Sequence, residues 1–433
     1  MTNEQKLKIS NWLLSPDKPS DLLLTEAEKK IKELGLEKVY KEIELPLVEV
    51  LDKMHKTGIA VDRKKIEKLL AEYSKKIKSL EKKIYKEAEE KFNINSPQQL
   101  RKILNNKFRL NLRSTNIGSI IDLRSQYLII DLILQYREAF KVKSTYLERF
   151  FTDVQNDETR RGRIYTTFLQ TGTATGRLSS QNPNLQNVPL VVKEVFVADR
   201  GWQLVSFDYS QVELRILAAL SRDPKMIKTF TDNGDIHKMT ASHVFNTELS
   251  KVTAEMRRLA KTLNFGVVYG MGAVAFARTS GLSIKEARSF IEEYFSDFEQ
   301  IKKWQEEIKR RARENGYVEN LNGRKRWLPA INSTSQFLAA EAERAAINMP
   351  VQGLAADIIK LAMVEIYRQL KKSKDTRLLL TIHDELLFEI KSDKVKKRVE
   401  EIKNIMEGVY KLPDVELEVD VKVGKNWKDL HVF

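Results

Sequence analysis

The amino-acid sequence predicts an α+β protein in which an antiparallel sheet is flanked by two largely helical lobes. Strand-like segments lie within residues 163–208 and 378–390, whereas residues 210–314 have a mostly helical pattern. A chain of 433 residues is too long for one hydrophobic core, so it should divide into two or more subdomains.

A long helix is predicted to begin after Asp62, which is a suitable N-cap residue. The apolar residues that follow alternate four and three positions apart, at Ile66, Leu70, Tyr73, Ile77, Leu80 and Ile84. Lysines are frequent on the other faces of this helix. The pattern fits a solvated helical hairpin as well as an arm that binds DNA. Ser96-Pro97 then predicts the N-cap and first turn of another helix.

Two aspartates lie where predicted strands stop. Asp208 follows an apolar strand predicted over residues 202–207, and Asp384 lies in the turn of a hairpin predicted over residues 378–390. A carboxylate at the end of a buried strand is costly to desolvate unless a cation or a hydrogen-bond donor meets it. The pair therefore predicts a divalent-metal site, although either aspartate alone would also fit a turn or a helix cap. A further strand is predicted over residues 164–168.

The charge of the chain predicts a polyanionic partner. Lys and Arg number 75 against 60 Asp and Glu, which gives a formal net charge of +15 and a pI near 9.5. Such an excess favours nucleic acid or an anionic membrane. The most apolar segment noted, residues 127–136, is interrupted by Asp131 and is far shorter than the ~20 residues of a membrane span, so no membrane partner is expected.

Composition excludes several other classes of protein. The chain has no cysteine, which excludes disulfides, thiolate nucleophiles and cysteine-ligated zinc. The first residues lack the apolar core of a signal peptide, so a cytoplasmic protein is expected. Abundant Lys, Glu and Ile without Cys is typical of thermophilic proteins.

A helix predicted to begin near Thr253 carries a stripe of cations and aromatic rings. Its residues Arg257, Lys261, Phe265 and Tyr269 are spaced four apart. Because four residues turn a helix by about 400°, these side chains form one slowly winding stripe. Such a stripe can hold phosphates at one end and stack a base at the other. The alternative is a core helix with aromatic rings inside and cations outside, and it is disfavoured because all four lie on the same side.

Three segments of the chain resemble motifs A, B and C of family A DNA polymerases, the DNA polymerase I type. They are Asp208-Tyr209-Ser210-Gln211-Val212-Glu213-Leu214-Arg215, the Arg-x3-Lys-x3-Phe-Gly-x2-Tyr-Gly pattern of residues 257–270, and His383-Asp384-Glu385. Other similar segments are residues 173–180, 183–187, 235–237, 323–326 and 348–353. They occur in the family's order, and the resemblance covers roughly residues 45–433.

The resemblance implies the right-hand polymerase fold, with a palm sheet, a helical thumb and helical fingers. Residues 1–45 would be a lead-in and a remnant of an exonuclease-like region. The other implied divisions are residues 46–145 for the thumb with its palm-side base, 146–217 for the first part of the palm with motif A, 218–340 for the fingers with motif B, and 341–433 for the second part of the palm with motif C.

The resemblance also implies a two-metal mechanism. Asp208, Asp384 and the backbone carbonyl of Tyr209 would hold two Mg²⁺ ions about 3.5–4 Å apart, with Mn²⁺ as the expected substitute. One ion would activate the primer 3′-hydroxyl, and the other would neutralise the triphosphate and the departing pyrophosphate. Glu385 would adjust the electrostatics of the site from the neighbouring position. No covalent intermediate is expected.

Roles toward the nucleotide follow from the resemblance residue by residue. The residues concerned are Arg257, Lys261, His237, Phe265, Tyr269, Gln211 and Glu213. Arg257, Lys261 and His237 would clamp the triphosphate, and Lys261 is the candidate proton donor to pyrophosphate. Phe265 would pack on the nucleotide, and Tyr269 would occupy or guard the position of the templating base.

Glu213 resembles the steric gate that excludes a 2′-hydroxyl, so deoxynucleotides should be preferred. Considered singly, Glu213 would equally fit an ordinary helix residue, and His237 a satisfied surface histidine.

The resemblance implies DNA contacts from Arg177, Asn187, Arg326, Arg344, Asn348, Gln352 and His383. Donors of this kind suit the minor-groove acceptors that every base pair presents, so pairing geometry could be tested without preference for sequence. Asn348 and Gln352 would also fit the polar surface of a helix.

These expectations describe a template-directed DNA polymerase that adds deoxynucleoside triphosphates to a primer 3′-hydroxyl. Primer-template DNA is the expected partner, and a monomer associated with the nucleoid is expected. The first 45 residues are too few for a proofreading domain and lack an Asp-x-Glu pair, so neither 3′→5′ exonuclease nor 5′-nuclease activity is expected. The alternatives are a reverse transcriptase-like activity on RNA templates and a DNA-binding clamp without catalysis.

Overall fold

The computed structural model describes residues 1–155 and 162–433, and it confirms the α+β class. The helices are α1 (Asn3–Leu14), α2 (Leu24–Glu33), α3 (Leu45–Thr57), α4 (Arg63–Ala88), α5 (Pro97–Phe108), α6 (Ile117–Ile120), α7 (Leu128–Lys141), α8 (Glu148–Gln155), α9 (Leu190–Lys193), α10 (Val212–Ser221), α11 (Pro224–Thr231), α12 (Ile236–Val244), α13 (Ala254–Val268), α14 (Ala273–Ser280), α15 (Ile284–Asp297), α16 (Glu299–Asn315), α17 (Gln336–Leu370) and α18 (Val395–Gly408). The strands are β1 (Ile59–Ala60), β2 (Arg163–Ile164), β3 (Thr167–Leu169), β4 (Ser179–Gln181), β5 (Trp202–Tyr209), β6 (Tyr317–Glu319), β7 (Lys325–Trp327), β8 (Thr376–Ile382), β9 (Glu385–Lys391), β10 (Val419–Gly424) and β11 (His431–Val432).

A five-stranded antiparallel sheet lies at the centre of the protein, in the order β11-β10-β5-β9-β8. The hairpin predicted over residues 378–390 is confirmed as β8 and β9, which are joined by a two-residue turn. The strand predicted over residues 202–207 is β5, and it occupies the middle of the sheet between β9 and β10. Phe207 and Phe388 pack edge to face in the core, with ring centroids 5.4 Å apart.

The predicted lysine-rich helix is confirmed as α4. Asp62 caps it by accepting hydrogen bonds from the N–H groups of Lys64 and Lys65. Its apolar stripe serves two cores, because Ile66 joins the main core whereas Ile77 and Ile84 pack with α7 in a separate cluster. Ser96 caps α5 in the predicted manner.

The region between β5 and β6 is built of helices α10 to α16, as the sequence predicts. Thr253 caps α13 by accepting a hydrogen bond of 3.2 Å from the Met256 N–H. This cap fixes where α13 begins, and therefore which of its side chains share a face.

The strand predicted over residues 164–168 is divided in two. β2 pairs with β1, whereas β3 pairs with β4. Between them the Thr166 hydroxyl lies 2.7 Å from the carbonyl of Pro183, and the Thr166 carbonyl lies 2.9 Å from Nδ1 of His55. These contacts turn the chain at Thr166 from one strand partner to the next.

The longest helix, α17, corrects the expectation about apolar segments. It has 35 residues, with Pro350 inside it, and among the described residues it is the one helix long and apolar enough to cross a membrane. In its apolar window, 83% of the residues are buried inside the protein, and Ile358 and Met363 belong to the same core as the sheet. This burial is typical of the core helix of a folded protein. Asp357 and Lys360 interrupt the apolar run, so the sequence alone does not single out this segment.

Residues 1–45, expected to be a lead-in, form regular secondary structure with a core of their own. α1, α2 and a π-helical turn over Val39–Glu44 pack around Trp12, which is 1% exposed. The Trp12 indole N–H donates to the carbonyl of Thr173, and the Trp327 indole N–H donates to the carbonyl of Leu14. The segment is thereby joined to the remainder of the protein.

Candidate active site

The strand register brings four carboxylates to one end of the sheet. Asp208 lies opposite Glu385 of β9 on one side and Asp420 of β10 on the other. Asp384 occupies the β8–β9 turn, and its carbonyl accepts a hydrogen bond of 3.2 Å from the Tyr209 N–H. The two aspartates singled out in the sequence are therefore neighbours in the structure.

The acidic cluster has more negative charge than its surroundings neutralise. Although the Asp208 side chain opens on to solvent, loss of hydration raises its pKa, and the charges of Glu385, Asp384 and Asp420 bring the pKa to about 7. Burial also raises the pKa of Asp384, while Arg177 and the neighbouring His383 act to lower it. A divalent cation would meet this deficit of positive charge.

The donor set fits Mg²⁺ held jointly by protein and substrate. Within residues 1–155 and 162–433, no three Asp, Glu, His or Cys side chains converge to form a complete metal site. Mg²⁺ is commonly held by one or two carboxylates together with phosphate oxygens and water, and Asp208 with Asp384 matches that pattern. Glu385 accepts a hydrogen bond of 2.6 Å from the Ser206 hydroxyl, which fixes it beside the two aspartates.

A cavity of about 350 Å³ separates the acids from the cationic stripe of α13. Its lining residues are Asp208, Tyr209, Ser210, Gln211, Val212, Glu213, His237, Arg257, Lys261, Phe265, Asp384 and Asp420. Three of the four stripe residues thus face the acids. Tyr269 follows the last residue of α13 and is directed to Glu213 instead.

Asp235 connects α12 and α13, the two helices that bring His237, Arg257 and Lys261 to the cavity. We call this side of the cavity the cationic wall. Its carboxylate caps α12 by accepting from the N–H groups of His237 and Lys238, at 2.9 and 3.0 Å. Its second oxygen accepts from Nε of Arg257 at 2.7 Å. Lys261 is exposed and forms no ion pair with any described residue. α13 therefore presents one paired and one unpaired cation to the cavity.

His237 is buried beneath the cavity, and this excludes the alternative of a surface histidine. It is 3% exposed, and loss of hydration lowers its pKa to about 4; Arg257 and Lys261 add to this effect, whereas Asp235 opposes it. Its Nδ1 lies 3.0 Å from the side-chain amide of Asn264. With that amide donating to Nδ1, the ring proton lies on Nε2, from which neutral His237 can donate into the cavity.

Glu213 is 3% exposed and is held by two other predicted site residues. Nη2 of Arg177 lies 2.5 Å from one carboxylate oxygen, and the hydroxyl of Tyr269 donates to the other at 2.9 Å. Nη2 of Arg177 also lies 3.7 Å from Oδ1 of Asp384. Burial raises the pKa of Glu213 against the effect of Arg177, and burial together with Glu213 raises the pKa of Tyr269 to about 12. The predicted gate is thus connected to the acids through one arginine.

Three predicted DNA contacts form a stripe on α17. Arg344, Asn348 and Gln352 are four residues apart and are all at least partly exposed. This stripe adjoins the end of α13, because a Cβ added at Gly270 would lie 3.2 Å from Cγ of Arg344.

Buried polar atoms without a hydrogen-bond partner concentrate in the predicted site. Among the described residues, such side-chain atoms are Arg177 Nε, Gln211 Oε1, Tyr294 Oη, Arg324 Nη1 and Asn348 Oδ1. Arg177, Gln211 and Asn348 are all residues for which the sequence predicts a nucleotide or DNA contact. Since buried polar atoms normally have partners, their concentration here points to a polar ligand.

The remaining predicted residues divide between the site and other surfaces. His383 is exposed beside Asp384 in the β8–β9 turn, next to the acidic cluster. Arg326 instead pairs with Asp17 through two contacts of 3.0 Å, and Asn187 is exposed while its carbonyl accepts from the Tyr146 hydroxyl. Neither Arg326 nor Asn187 lines the cavity.

Asp420 and Asn264 belong to the site but are not predicted from the sequence. Alternation over Val419-Asp420-Val421-Lys422-Val423 signals a strand, but it does not reveal that the strand pairs with β5 beside Asp208. Asn264 is fully buried and orients His237. No local pattern distinguishes it from other polar residues on α13.

Comparison with known proteins gives consistent matches. The model of the family described as DNA polymerase family A matches residues 63–429. The thermostable DNA polymerase I of Thermus filiformis is 43% identical over 404 residues, covering 90% of this chain and 48% of the relative. DNA polymerase I of Bacillus subtilis is 39% identical over 406 residues, covering 90% and 46%. The chain therefore spans about half the length of the curated relatives that it matches.

A solved structure has the same fold. It is described as the POL domain of Pol1 from M. smegmatis in complex with DNA primer-template and dNTP. The TM-score is 0.91 at 31% sequence identity, and the match covers 98% of this chain and 81% of the other.

Proposed function

Because this chain belongs to DNA polymerase family A, we propose that it extends a DNA primer along a template strand, adding deoxynucleoside triphosphates to the 3′-hydroxyl and releasing pyrophosphate. The proposal rests on one observation. A single cavity is lined by the two acids and by the α13 stripe, namely by Asp208, Asp384, Arg257, Lys261 and Phe265. Phosphoryl transfer needs acids that hold cations, and it needs cations that neutralise the phosphates. Both line this one cavity.

The right-hand fold of the family supports a division of the chain. We assign residues 46–145 to the thumb, 146–217 and 341–433 to the palm and 218–340 to the fingers. The strands of the five-stranded sheet fall in the two palm ranges, and α11 to α16 fall in the fingers range. The thumb range contains the separate core formed by α4 and α7, and residues 1–45 remain a proposed remnant of an exonuclease-like region.

The cationic wall would bind and orient the nucleotide. Arg257 and Lys261 would hold phosphate oxygens by charge-assisted hydrogen bonds, while neutral His237 would donate from Nε2. Among the residues that the structure describes, Lys261 has no competing acid partner, and this supports its role as proton donor to the departing pyrophosphate. Phe265 would pack on the nucleotide, and Tyr269 would guard the templating position.

Asp208, Asp384 and the carbonyl of Tyr209 would hold the metal ions. When bound, Mg²⁺ or its expected substitute Mn²⁺ supplies Lewis-acid activation of the 3′-hydroxyl and neutralises phosphate charge. The protein's own contribution is to fix the two carboxylates in place, with Glu385 held beside them by Ser206.

Specificity would come from buried side chains at the cavity and from donor-bearing side chains outside it. Glu213, fixed by Arg177 and Tyr269, would exclude a 2′-hydroxyl, and Gln211 with its unpartnered Oε1 would contact the nucleotide. The proposed DNA contacts are Arg177, Asn187, Arg326, Arg344, Asn348, Gln352 and His383. Their donors would read minor-groove acceptors, which are present at every base pair.

Primer extension on matched DNA and RNA templates, with Mg²⁺ and one nucleotide at a time, tests this function. We expect template-directed extension on DNA with deoxynucleotides. Equal extension on RNA would favour the reverse transcriptase-like alternative, and duplex binding without extension would favour the clamp.

A primer with a mismatched 3′ end tests the prediction that this chain lacks 3′→5′ exonuclease activity, since that activity would shorten the primer. A monomeric state and nucleoid association stay predictions.

A further inference from the structure

Two consecutive hydrogen bonds connect the N-terminal helix to Arg177. The buried indole of Trp12 in α1 donates from Nε1 to the carbonyl of Thr173 at 3.1 Å. The hydroxyl of Thr173 donates to the carbonyl of Arg177 at 2.7 Å. The Arg177 guanidinium then contacts Glu213 and Asp384. The path from α1 to the acidic cluster therefore passes through Thr173 and Arg177.

Two more contacts hold the loop of residues 170–177 between β3 and β4. Nε2 of Gln170 donates to the carbonyl of Glu44 at 2.6 Å and also to its carboxylate. The Arg324 guanidinium packs against Gly176 so closely that an added Cβ would lie 3.0 Å from Cζ. Because Gly176 has φ of +86°, the loop requires glycine here for its conformation as well as for space.

Glu44 and Arg324, which contact the loop, belong to a buried network of charged residues. Arg324 pairs with Glu44 and Asp357, and Lys360 pairs with Glu44 at 2.7 Å. All four residues are at most 1% exposed, and the Trp12 ring lies 5.4 Å from the cationic groups of both Arg324 and Lys360. The two cations and two carboxylates balance, so loss of any one would leave an uncompensated buried charge, and the network resists rearrangement beneath Trp12 and the loop.

We propose that Trp12 positions Arg177, and through it Glu213, so that the N-terminal helix influences selection of the nucleotide sugar at a site that it does not contact. This inference rests on the proposed function, because it concerns the choice between deoxyribonucleotides and ribonucleotides. Trp12 is a positioning residue, since its effect passes through Thr173 and Arg177. Glu213 depends on this path because, of the described side chains, Arg177 and Tyr269 are the two that hold its carboxylate.

The variant Trp12→Phe removes the indole N–H and retains an aromatic ring against Arg324 and Lys360. We expect the ratio of kcat/KM for a deoxynucleotide over the matching ribonucleotide to fall on the order of fivefold, the effect of one ordinary hydrogen bond. Thr173→Val deletes the second bond and should reproduce this fall. The double variant should lose no more than either single variant, because both interrupt the same path.

Trp327→Phe is the matched control. The Trp327 indole donates to the carbonyl of Leu14 at 2.8 Å, so it is the same type of bond to the same N-terminal segment, but it does not involve the 170–177 loop. We expect this variant to keep the wild-type sugar selectivity even where its unfolding temperature falls as much as that of Trp12→Phe.

The proposal is overturned if Thr173→Val keeps wild-type selectivity, or if Trp327→Phe lowers selectivity as much as Trp12→Phe. Thr173→Val decides the matter where Trp12→Phe does not fold. A wild-type chain that extends no primer would refute the proposed function itself. A wild-type chain that extends and discriminates, beside variants with unchanged selectivity, would refute the positioning role alone.

Discussion

Tyr209 and Asp384 are joined by a backbone hydrogen bond of 3.2 Å, in which the Tyr209 N–H donates to the Asp384 carbonyl. This bond attaches the β8–β9 turn to the end of β5, so the strand that carries Asp208 and the turn that carries Asp384 form one unit. The relative position of the two acidic side chains is therefore set by the sheet. Such prior positioning is a large part of what an enzyme contributes to phosphoryl transfer.

Asp208→Asn should raise the unfolding temperature at pH 8 in buffer without divalent cations. The folded state raises the pKa of Asp208 from 3.8 to about 7, so the stability that this group contributes is fully present below about pH 3.8 and is lost as pH rises through about 7. At pH 8 the ionised carboxylate therefore destabilises the fold. Because Asp208 is open to solvent, the gain should be about 1 kcal/mol or less.

Thermal unfolding at pH 5 and pH 8 checks this prediction, and the gain should be smaller at pH 5. Asp393→Asn, at an exposed acid whose partner is Lys394, is the control and should show no such gain. Equal or lower stability of Asp208→Asn at pH 8 would contradict the electrostatic description of the site.

Mg²⁺ should raise the unfolding temperature of the wild-type chain more than that of Asp208→Asn. A ligand that binds the folded state alone stabilises it by mass action, and the variant lacks one of the two proposed carboxylate ligands. Thermal scans across a Mg²⁺ titration at constant ionic strength provide the measurement. Identical shifts in the two proteins would show that the ion acts elsewhere.

His237→Gln should make the protein less sensitive to acid. Burial lowers the pKa of His237 from 6.5 to about 4, so the stability that neutral His237 contributes is complete above about pH 6.5 and is lost as pH falls through about 4. The wild-type chain should lose up to about 3 kcal/mol through this residue over that range. Urea unfolding at pH 7.5 and 4.5 measures the difference, with the exposed His431→Gln as control. A variant that loses as much stability as the wild type would contradict the buried, neutral state of His237.

Lys261→Met should slow nucleotide incorporation by about 10²–10⁴-fold, the usual effect of losing a proton donor. Stability should change little, because Lys261 is exposed and forms no ion pair with a described residue. Single-nucleotide incorporation under single-turnover conditions measures the rate. Lys285→Met, at an exposed lysine in the first turn of α15, should retain the wild-type rate. A wild-type rate for Lys261→Met would remove this residue from the mechanism.

Local patterns in the sequence were sufficient to predict several elements. The Asp62 cap, the apolar stripe of α4 and the β8–β9 hairpin all depend on residues a few positions apart, and all are present in the structure. The proximity of Asp208 and Asp384 was also predicted, because each carboxylate follows an apolar strand and both need the same counter-charge. The resemblance then supplied the expected roles of the residues around them.

Contacts between distant segments could not be predicted in this way. The position of Asp420 depends on which strand pairs with β5, and the bond between Trp12 and Thr173 depends on how α1 packs against the 170–177 loop. No periodicity or cap encodes such pairings, since they result from the packing of the whole chain. The burial of Arg324 with Glu44 is likewise a tertiary outcome that the basic composition of residues 324–326 conceals.

Asp384→Asn is the decisive variant for the proposed metal-dependent chemistry, when primer extension and duplex binding are measured on the same protein preparation. The substitution keeps the shape of the side chain and removes one proposed cation ligand. We predict that Mg²⁺-dependent extension falls by ~10³-fold or more, the effect of several kcal/mol of lost charge stabilisation, while the affinity for primer-template changes only a few-fold. With Asp393→Asn as the matched control, extension at the wild-type rate by Asp384→Asn would show that Asp384 does not hold a cation needed for catalysis.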